Sequence, residues 1–276
     1  MQQFDRGGLT FAVREAGPGD GEAVVCLHGF PQGPEAYDAL TPLLTAHGLR
    51  VLVPEQRGYG ATARPAHRRD YALGELVGDV LALLDAAGVR RAHLVGHDWG
   101  GVVAWATAAR HPDRVASLTA LSQAHPAAFG AAVPRSSQAL RSAYVAFFQL
   151  PTLPERVLLA RGGAVLSQSL RRTGLPAALA DGYARRHLAP GSLTAALNWY
   201  RALALAGPVG AVAVPVTYLH GRRDPFYSRT AVAGTARHVR GPYRRVELDT
   251  GHWVPELAPG AVARAVLAAA EGGPRS

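Results

Sequence analysis

The feature of the sequence that most constrains its fold is an alternation of short apolar runs with amphipathic helical segments. Residues 23–27, 50–53 and 93–96 are strand-length runs rich in apolar and β-branched residues, whereas residues 73–87 carry apolar side chains at helical spacing. Strands separated by helices in this order pair in parallel through right-handed crossovers. The pattern therefore predicts an α/β fold whose mostly parallel central sheet carries helices on both faces.

The alternation is interrupted once along the chain. From residue 123 to residue 210 the strand signals disappear, and the segment is helical in composition with many prolines and turn residues. We therefore expect residues 1–122 and 211–276 to form the α/β core and residues 123–210 to form a helical cap, or lid, inserted into it. The other predicted elements are helices at residues 101–110, 230–239 and 260–270 and strands at residues 115–121, 214–219 and 243–248.

The charge balance raises the question of an acidic partner. The 276 residues carry a formal net charge of +9, and all 29 basic residues are arginine. Arginine in place of lysine, together with abundant Ala, Gly and Pro, is typical of a high-GC coding sequence. The arginines are scattered rather than gathered in one basic segment, so we expect no nucleic-acid partner.

The cysteine content and the apolar stretches exclude further classes. A single cysteine, Cys26, cannot form an intrachain disulfide or a thiolate metal site, and its apolar surroundings predict a buried strand residue. The first residues include an acid and lack the apolar run of a secretory signal, and no apolar stretch is long enough to span a bilayer. We expect a cytoplasmic protein with no membrane partner and no metal.

A Gly-rich turn carries the strongest chemical signal. The strand at residues 93–96 runs directly into Gly96-His97-Asp98-Trp99-Gly100-Gly101 and then into a helix. Small residues on either side of a central residue let the backbone turn sharply and push that side chain into a cleft, as in a nucleophile elbow. Asp98 occupies the central position and is the candidate nucleophile.

Two further motifs follow predicted strands. Asp224 comes after the strand at residues 214–219, and His252 comes after the strand at residues 243–248. Taken singly, a loop Asp is usually a turn former and a loop His is often simply solvated. Nucleophile, acid and histidine in this chain order are typical of a catalytic triad at the carboxyl ends of the strands.

The segment His28-Gly29-Phe30-Pro31 follows the strand at residues 23–27. This is the place where such a fold supplies one backbone N–H of an oxyanion hole, and the residue after the nucleophile supplies the other. The predicted donors are therefore the amides of Phe30 and Trp99. A cis Phe30–Pro31 bond is compatible with the sequence, which does not decide it.

Together with Gln-Arg-Gly-Tyr-Gly at residues 56–60, these motifs resemble the epoxide hydrolase branch of the α/β-hydrolase superfamily, which lies close to the haloalkane dehalogenases. The resemblance covers essentially the whole chain. It implies a covalent alkyl ester on Asp98, hydrolysed by water that His252 activates while Asp224 orients the ring. It also implies an epoxide and water as partners, a vicinal diol as product and no cofactor, and the apolar residues of the predicted cap favour a hydrophobic organic epoxide.

The resemblance extends to two cap tyrosines. Tyr144 and Tyr200 stand in segments similar to those that carry the acids of epoxide hydrolases, and neutral phenols can donate to an opening alkoxide. Haloalkane dehalogenases usually carry Asn where this chain has Phe30, and the fluoroacetate type carries Arg where it has Trp99. Both departures favour epoxide opening. Substrate contacts are expected from residues within or beside these motifs: His28, Pro31, Phe148, Trp199 and Trp253.

Two other functions remain open at the level of sequence. The same Asp-His-Asp triad would serve a haloalkane or haloacid dehalogenase, and a catalytically silent member of the fold would bind ligands only. Either a monomer or a homodimer is compatible with the sequence.

Overall fold

The computed structural model describes residues 1–272, so the last four residues of the predicted core, 273–276, lie outside the described residues. Its centre is an eight-stranded sheet with the strand order β1-β2-β4-β3-β5-β6-β7-β8. The pairs β1–β2 and β2–β4 are antiparallel, and the other five pairs are parallel. The strands are β1 Gln3–Arg6, β2 Leu9–Ala16, β3 Ala23–Leu27, β4 Arg50–Pro54, β5 Ala92–His97, β6 Val115–Leu121, β7 Val216–Gly221 and β8 Tyr243–Leu248.

Helices flank the sheet and fill the long connection between β6 and β7. The prediction of a mostly parallel α/β sheet is confirmed. In the described residues the helices are α1 Thr41–Thr45, α2 Leu73–Ala86, α3 Trp99–Arg110, α4 Pro126–Ala132, α5 Gln138–Arg141, α6 Ala143–Phe148, α7 Leu153–Leu158, α8 Ala164–Arg172, α9 Ala177–Arg186, α10 Ser192–Arg201, α11 Arg229–Gly234, α12 Val254–Leu257 and α13 Pro259–Glu271.

The two faces of the sheet build two hydrophobic cores. Successive side chains of β3 alternate between them, because a strand points neighbouring residues to opposite faces. Val25 and Leu27 join the core that contains α2 and α3, whereas Val24 and Cys26 join the core that contains α1 and α13. Because the central strands are apolar on both faces, both faces of the sheet must be covered, and helices cover them.

Some boundaries differ from the predicted ones for local reasons. The strand expected from residue 214 begins at Val216, since Pro215 has no N–H to give to the ladder. The helix expected from residue 101 begins at Trp99, directly after the elbow residue. The antiparallel pair β1–β2 was not predicted, because its strands are half exposed and bury only a few apolar side chains, such as Phe4 and Phe11.

The helices between β6 and β7 are tied to the core by buried hydrogen bonds. The indole Nε1 of Trp199 in α10 donates to the carbonyl oxygen of Arg57 at 2.8 Å. The Arg57 guanidinium in turn forms a buried bidentate pair with Asp79, with both N···O distances 2.7 Å. Within residues 1–272, no helix has both the length and the apolar character needed to cross a membrane.

Candidate active site

Asp98 occupies a sharp turn between β5 and α3. Its backbone has φ +50° and ψ −120°, a left-handed conformation that non-glycine residues rarely adopt. The surrounding glycines make room for it, since a Cβ on Gly29 would collide with the Asp98 side chain and one on Gly100 would collide with the carbonyl oxygen of Leu27. The side chain of Asp98 also stands at the N-terminus of α3, which favours a negative charge.

Three of the predicted catalytic side chains meet at the carboxyl ends of the strands. The Nδ1 atom of His252 lies 2.8 Å from Oδ2 of Asp224, and its Nε2 atom lies 3.6 Å from Oδ2 of Asp98. The other oxygen of Asp224, Oδ1, accepts from the backbone N–H of Phe226 at 2.7 Å. The imidazole is therefore placed between two carboxylates, one of which is fixed at both oxygens.

The charges of this cluster support one another. Burial lowers the pKa of His252, but the attraction and hydrogen bonding of Asp224, followed by those of Asp98, outweigh it and raise the pKa to about 10. Burial raises the pKa of Asp98, yet the hydrogen bond and positive charge of His252 hold that pKa below its usual range. The resting cluster is an imidazolium held between two carboxylates.

The predicted oxyanion-hole donors lie beside Asp98. The backbone N–H of Phe30 donates to Oδ1 of Asp98 at 3.0 Å, and the Phe30–Pro31 peptide bond is cis. The N–H of Trp99 is the first of α3 and so has no acceptor within the helix. Asp98 thus presents Oδ1 to a backbone donor and Oδ2 to His252.

Tyr144 and Tyr200 come from two different helices, α6 and α10, and their ring centroids are 6.1 Å apart in an edge-on arrangement. Burial, together with the nearby charge of Asp98, raises the pKa of both phenols. Both hydroxyls therefore stay protonated and can act as donors. Tyr200 also packs edge-on against the indole of Trp99, with centroids 5.0 Å apart.

Hydrogen bonds fasten α6 to α10 beside this pair. The Arg201 guanidinium donates to the carbonyl oxygens of Phe148 at 3.0 Å and Leu150 at 2.8 Å. The amide of Gln149 donates to the carbonyl oxygen of Tyr200 at 3.0 Å. The segments that carry the two tyrosines are thus joined at the residues that follow each of them.

Two largely apolar cavities meet at Asp98, Tyr144, Tyr200 and Phe226. The larger, which we call the large chamber, has a volume of about 560 Å³, and the small chamber has a volume of about 280 Å³. Apolar walls of the large chamber include Val102, Phe129, Val133 and Leu203. Those of the small chamber include Phe30, Phe147, Leu166 and Leu170. Such largely apolar walls suit an apolar organic ligand whose reacting group lies beside Asp98 and the two tyrosines at the junction.

Four of the five residues predicted to contact substrate line these chambers. Pro31, Phe148 and Trp253 line the small chamber, and Trp199 lines the large one. His28 lines neither chamber, which corrects its interpretation as a substrate contact.

The surroundings of His28 explain its position. Its ring is buried edge-on against Tyr59, and its Nε2 atom accepts from the backbone N–H of Gln56 at 3.3 Å. Burial lowers the pKa of His28 to about 3, so the ring is neutral and can accept that hydrogen bond. Its position indicates that it fixes the turn after β3.

Sequence reasoning missed two residues of the site. Phe226 lines both chambers and packs its ring against His252, with centroids 4.7 Å apart. Tyr227 lines the large chamber and donates its hydroxyl to Oε1 of Gln123. Phe226 and Tyr227 follow Asp224 by two and three residues, so proximity to the motif was the available signal. In residues 1–272, no three His, Cys, Asp or Glu side chains are grouped so as to hold a metal ion.

Comparison with known proteins agrees with this architecture. A model of the α/β-hydrolase fold family matches residues 22–259. The chain is 34% identical to AB hydrolase superfamily protein YfhM of Bacillus subtilis, covering 96% of each chain. It is also 34% identical to epoxide hydrolase A of Mycobacterium tuberculosis, covering 95% of this chain and 94% of that protein.

A solved structure, epoxide hydrolase A of Mycobacterium thermoresistibile, is similar over 99% of this chain and 98% of its own, with a TM-score of 0.83 and 27% identity. The chain belongs to the α/β-hydrolase family. Several of the relatives that it resembles are named epoxide hydrolases, from bacteria to vertebrates.

Proposed function

We propose that this protein is an epoxide hydrolase, a hydrolase acting on ether bonds, that converts a hydrophobic organic epoxide into a vicinal diol. The observation that carries the proposal is the meeting of an activated carboxylate, Asp98, with two protonated phenols, Tyr144 and Tyr200, at the junction of two apolar chambers. The similarity to epoxide hydrolase A of Mycobacterium tuberculosis supports it.

In the first half of the reaction, Oδ2 of Asp98 attacks one epoxide carbon. The bond between that carbon and the epoxide oxygen breaks, and the oxygen leaves as an alkoxide that takes a proton from Tyr144 or Tyr200. The product of this step is an alkyl ester on Asp98, and the His252 imidazolium supplies a proton, relayed through water, to restore the phenol.

In the second half, ester formation has removed the negative charge of Asp98. The pKa of His252 falls as a result, because only Asp224 still favours the imidazolium. The neutral ring can then take a proton from water, and the hydroxide attacks the carbonyl carbon of the ester. The oxyanion forms at Oδ1, where Phe30 already donates, with Trp99 as the second donor.

Collapse of that intermediate breaks the bond between the ester carbonyl carbon and the alkyl oxygen. The departing alkoxide takes the proton of the newly formed carboxyl group, which releases the diol and restores the Asp98 carboxylate and the His252 imidazolium. The balance is one epoxide and one water in and one diol out, and every step uses side chains and backbone amides of this chain and water only.

The chambers indicate what kind of epoxide fits. We propose that residues 123–210 act as a cap over the α/β core, contributing both tyrosines and most chamber walls. A reacting carbon beside Asp98 lies where the two chambers meet, so the two substituents of the epoxide extend into cavities of about 560 and 280 Å³. The substrates expected are hydrophobic epoxides with substituents of unequal size.

The proposal is tested by trapping the ester. His252→Gln, which cannot activate water, is incubated with aryl and alkyl epoxides, and its intact mass is measured. We expect a mass gain equal to the full mass of the epoxide, mapped to Asp98 and absent from the double variant Asp98→Asn/His252→Gln.

Two other results would assign a different function. An adduct that forms only with haloalkanes and lacks the halide would identify a dehalogenase with the same triad. Chambers that bind epoxides and haloalkanes without any adduct, and with no turnover by the parent protein, would identify a ligand-binding member of the family.

A further inference from the structure

A polar cleft of about 380 Å³ lies at the β8 edge of the sheet, between the end of β7, helix α11 and strand β8. We call it the edge cleft. Asp224 lines it but lines neither chamber, whereas Tyr227 lines both the edge cleft and the large chamber, so the edge cleft adjoins the space proposed for the epoxide. The charged and titratable side chains that line it, besides Asp224, are His220, Arg222, Tyr227, Arg229, Arg245 and Glu247.

The strand register explains why basic groups gather there. In the parallel pair β7–β8, Tyr218 lies beside Arg245 and His220 lies beside Glu247. Paired residues of neighbouring strands point to the same face, and residues two apart along a strand share a face. Arg245 is therefore placed on the same face as His220, while its neighbour Arg244 points to the opposite face.

His220 is the buried element of the edge cleft. Its residue is only 6% exposed, yet its Nε2 atom has no hydrogen-bonding partner. The nearest carboxylate oxygen, Oε2 of Glu247, is 3.9 Å away, which is too far for a hydrogen bond. A buried ring nitrogen without a partner is costly unless a ligand or solvent satisfies it.

Two arginines of the edge cleft are also unengaged. Within residues 1–272, neither Arg229 nor Arg245 has a carboxylate within 4.0 Å, whereas Arg222 is paired with Asp249 at 2.8 Å. Of the two carboxylates, Asp224 is held by His252 and Glu247 has a side chain that is 54% exposed. The charge of Glu247 is therefore screened by solvent, and the unpaired arginines of the cleft, Arg229 and Arg245, carry two positive charges.

We propose that the edge cleft binds a phosphate-class oxyanion, either inorganic phosphate or the monoester of a small organic molecule. Arg229 and Arg245 would balance its charge, and the Nε2–H of His220 would donate to one of its oxygens. Arginine suits this task because its planar donors match the spacing of phosphate oxygens. The cleft is larger than inorganic phosphate, which leaves room for an organic part.

The test is calorimetric titration of the full chain with inorganic phosphate and with glycerol 3-phosphate at constant ionic strength, without any epoxide. We expect saturable binding at one site per chain. Arg245→Gln should weaken it about tenfold or more, because a charge-assisted contact is lost. Arg244→Gln is the matched control, an exposed arginine one residue away on the opposite face, and should leave the affinity unchanged.

A variant of His220 and a comparison of the two ligands complete the test. His220→Gln should also weaken binding. Because His220 is buried, this variant could fail to fold. In that case Arg245→Gln and Arg229→Gln, which change exposed residues, decide the test. Tighter binding of glycerol 3-phosphate than of phosphate would identify a monoester as the ligand, and equal binding would identify free phosphate. Absence of saturable binding, or equal losses in Arg244→Gln and Arg245→Gln, would overturn the proposal. None of these measurements depends on epoxide turnover.

Discussion

The Nε2 atom of His252 lies 3.6 Å from Oδ2 of Asp98, the oxygen that the backbone amide of Phe30 leaves free. The same imidazole is held at 2.8 Å by Asp224 on its other side. The proton affinity of the ring therefore depends on the charge of the proposed nucleophile. In the proposed mechanism, ester formation would remove that charge and turn the ring into a base, so the electrostatics of the cluster would set the order of the two half-reactions.

Removing either carboxylate is expected to lower the pKa of His252 from about 10. Asp224→Asn should lower it more than Asp98→Asn, because Asp224 makes the larger attraction. Titration of the ring by proton NMR measures both shifts. Equal pKa values in the parent protein and in both variants would contradict the electrostatic account of the second half-reaction.

The raised pKa also has a consequence for stability. A folded-state pKa of about 10 against an ordinary value of 6.5 means that this stabilisation is complete below pH 6.5 and is lost as the pH rises through about 10. The free energy of unfolding, measured by urea titration, should therefore fall across that interval. The decrease in the free energy of unfolding should be smaller in Asp224→Asn. A larger decrease in that variant would contradict the prediction.

The tyrosine pair is expected to supply the proton for ring opening. Tyr144→Phe/Tyr200→Phe should lower kcat for epoxides by about 10²–10⁴-fold, the usual contribution of general acid catalysis. Each single variant should lose less, because the other phenol remains. Tyr243→Phe is the control, since the Tyr243 hydroxyl has no hydrogen-bonding partner and the residue lies on β8. Near-normal turnover by the double variant would remove both tyrosines from the mechanism.

We expect each chamber to bind one of the two substituents of the epoxide. Val102→Trp would fill part of the large chamber and Ser169→Trp part of the small one. For epoxides with one methyl substituent and one naphthyl substituent, Val102→Trp should lower kcat/KM about tenfold or more, as filling an apolar pocket usually does. Ser169→Trp should affect such substrates less and should act when the second substituent grows beyond methyl. The same loss for every substrate in both variants would show that the chambers are not used separately.

The turn that carries Asp98 is expected to tolerate no side chain at Gly100. Gly100→Ala would place a Cβ against the backbone oxygen of Leu27, which cannot move aside. We expect a loss of about 1–3 kcal/mol or more in the free energy of unfolding, measured by urea titration. Gly130→Ala is the control, because nothing lies within 4 Å of its Cβ position in α4, and it should gain up to about 1 kcal/mol. Equal stability of the two variants would contradict the steric argument.

Most of the sheet was predictable because its central strands are apolar on both faces and leave a continuous signal. The strand Val115–Leu121 and the strand Tyr243–Leu248 were predicted with their observed bounds. The pair β1–β2 was not predicted, because half-exposed edge strands mix polar and apolar residues. Strand β7 begins at Val216 and not at residue 214, because Pro215 has no backbone N–H to donate to the ladder. The apolar composition of the segment does not reveal this local effect.

The candidate site was predictable where residues follow strands in the chain. Asp98, Asp224 and His252 each follow a parallel strand within a few residues, so topology alone brings them to the carboxyl ends of the strands. The chamber walls were not predictable in the same way. Val102 and Leu166, for example, belong to α3 and α8, and their places in the walls depend on how helices pack across long sequence separations. His28 shows the converse, since a residue inside a motif can serve the turn and not the cavity.

The bonds from Arg201 and Gln149 that join α6 to α10 bear on how the acid groups behave as a pair. Tyr144 and Tyr200 sit on these two helices, so a displacement of one helix carries the other with it. A partial excursion of this region would withdraw both hydroxyls from the nucleophile in concert. In the proposed mechanism, proton donation by the two phenols would therefore be gained and lost together.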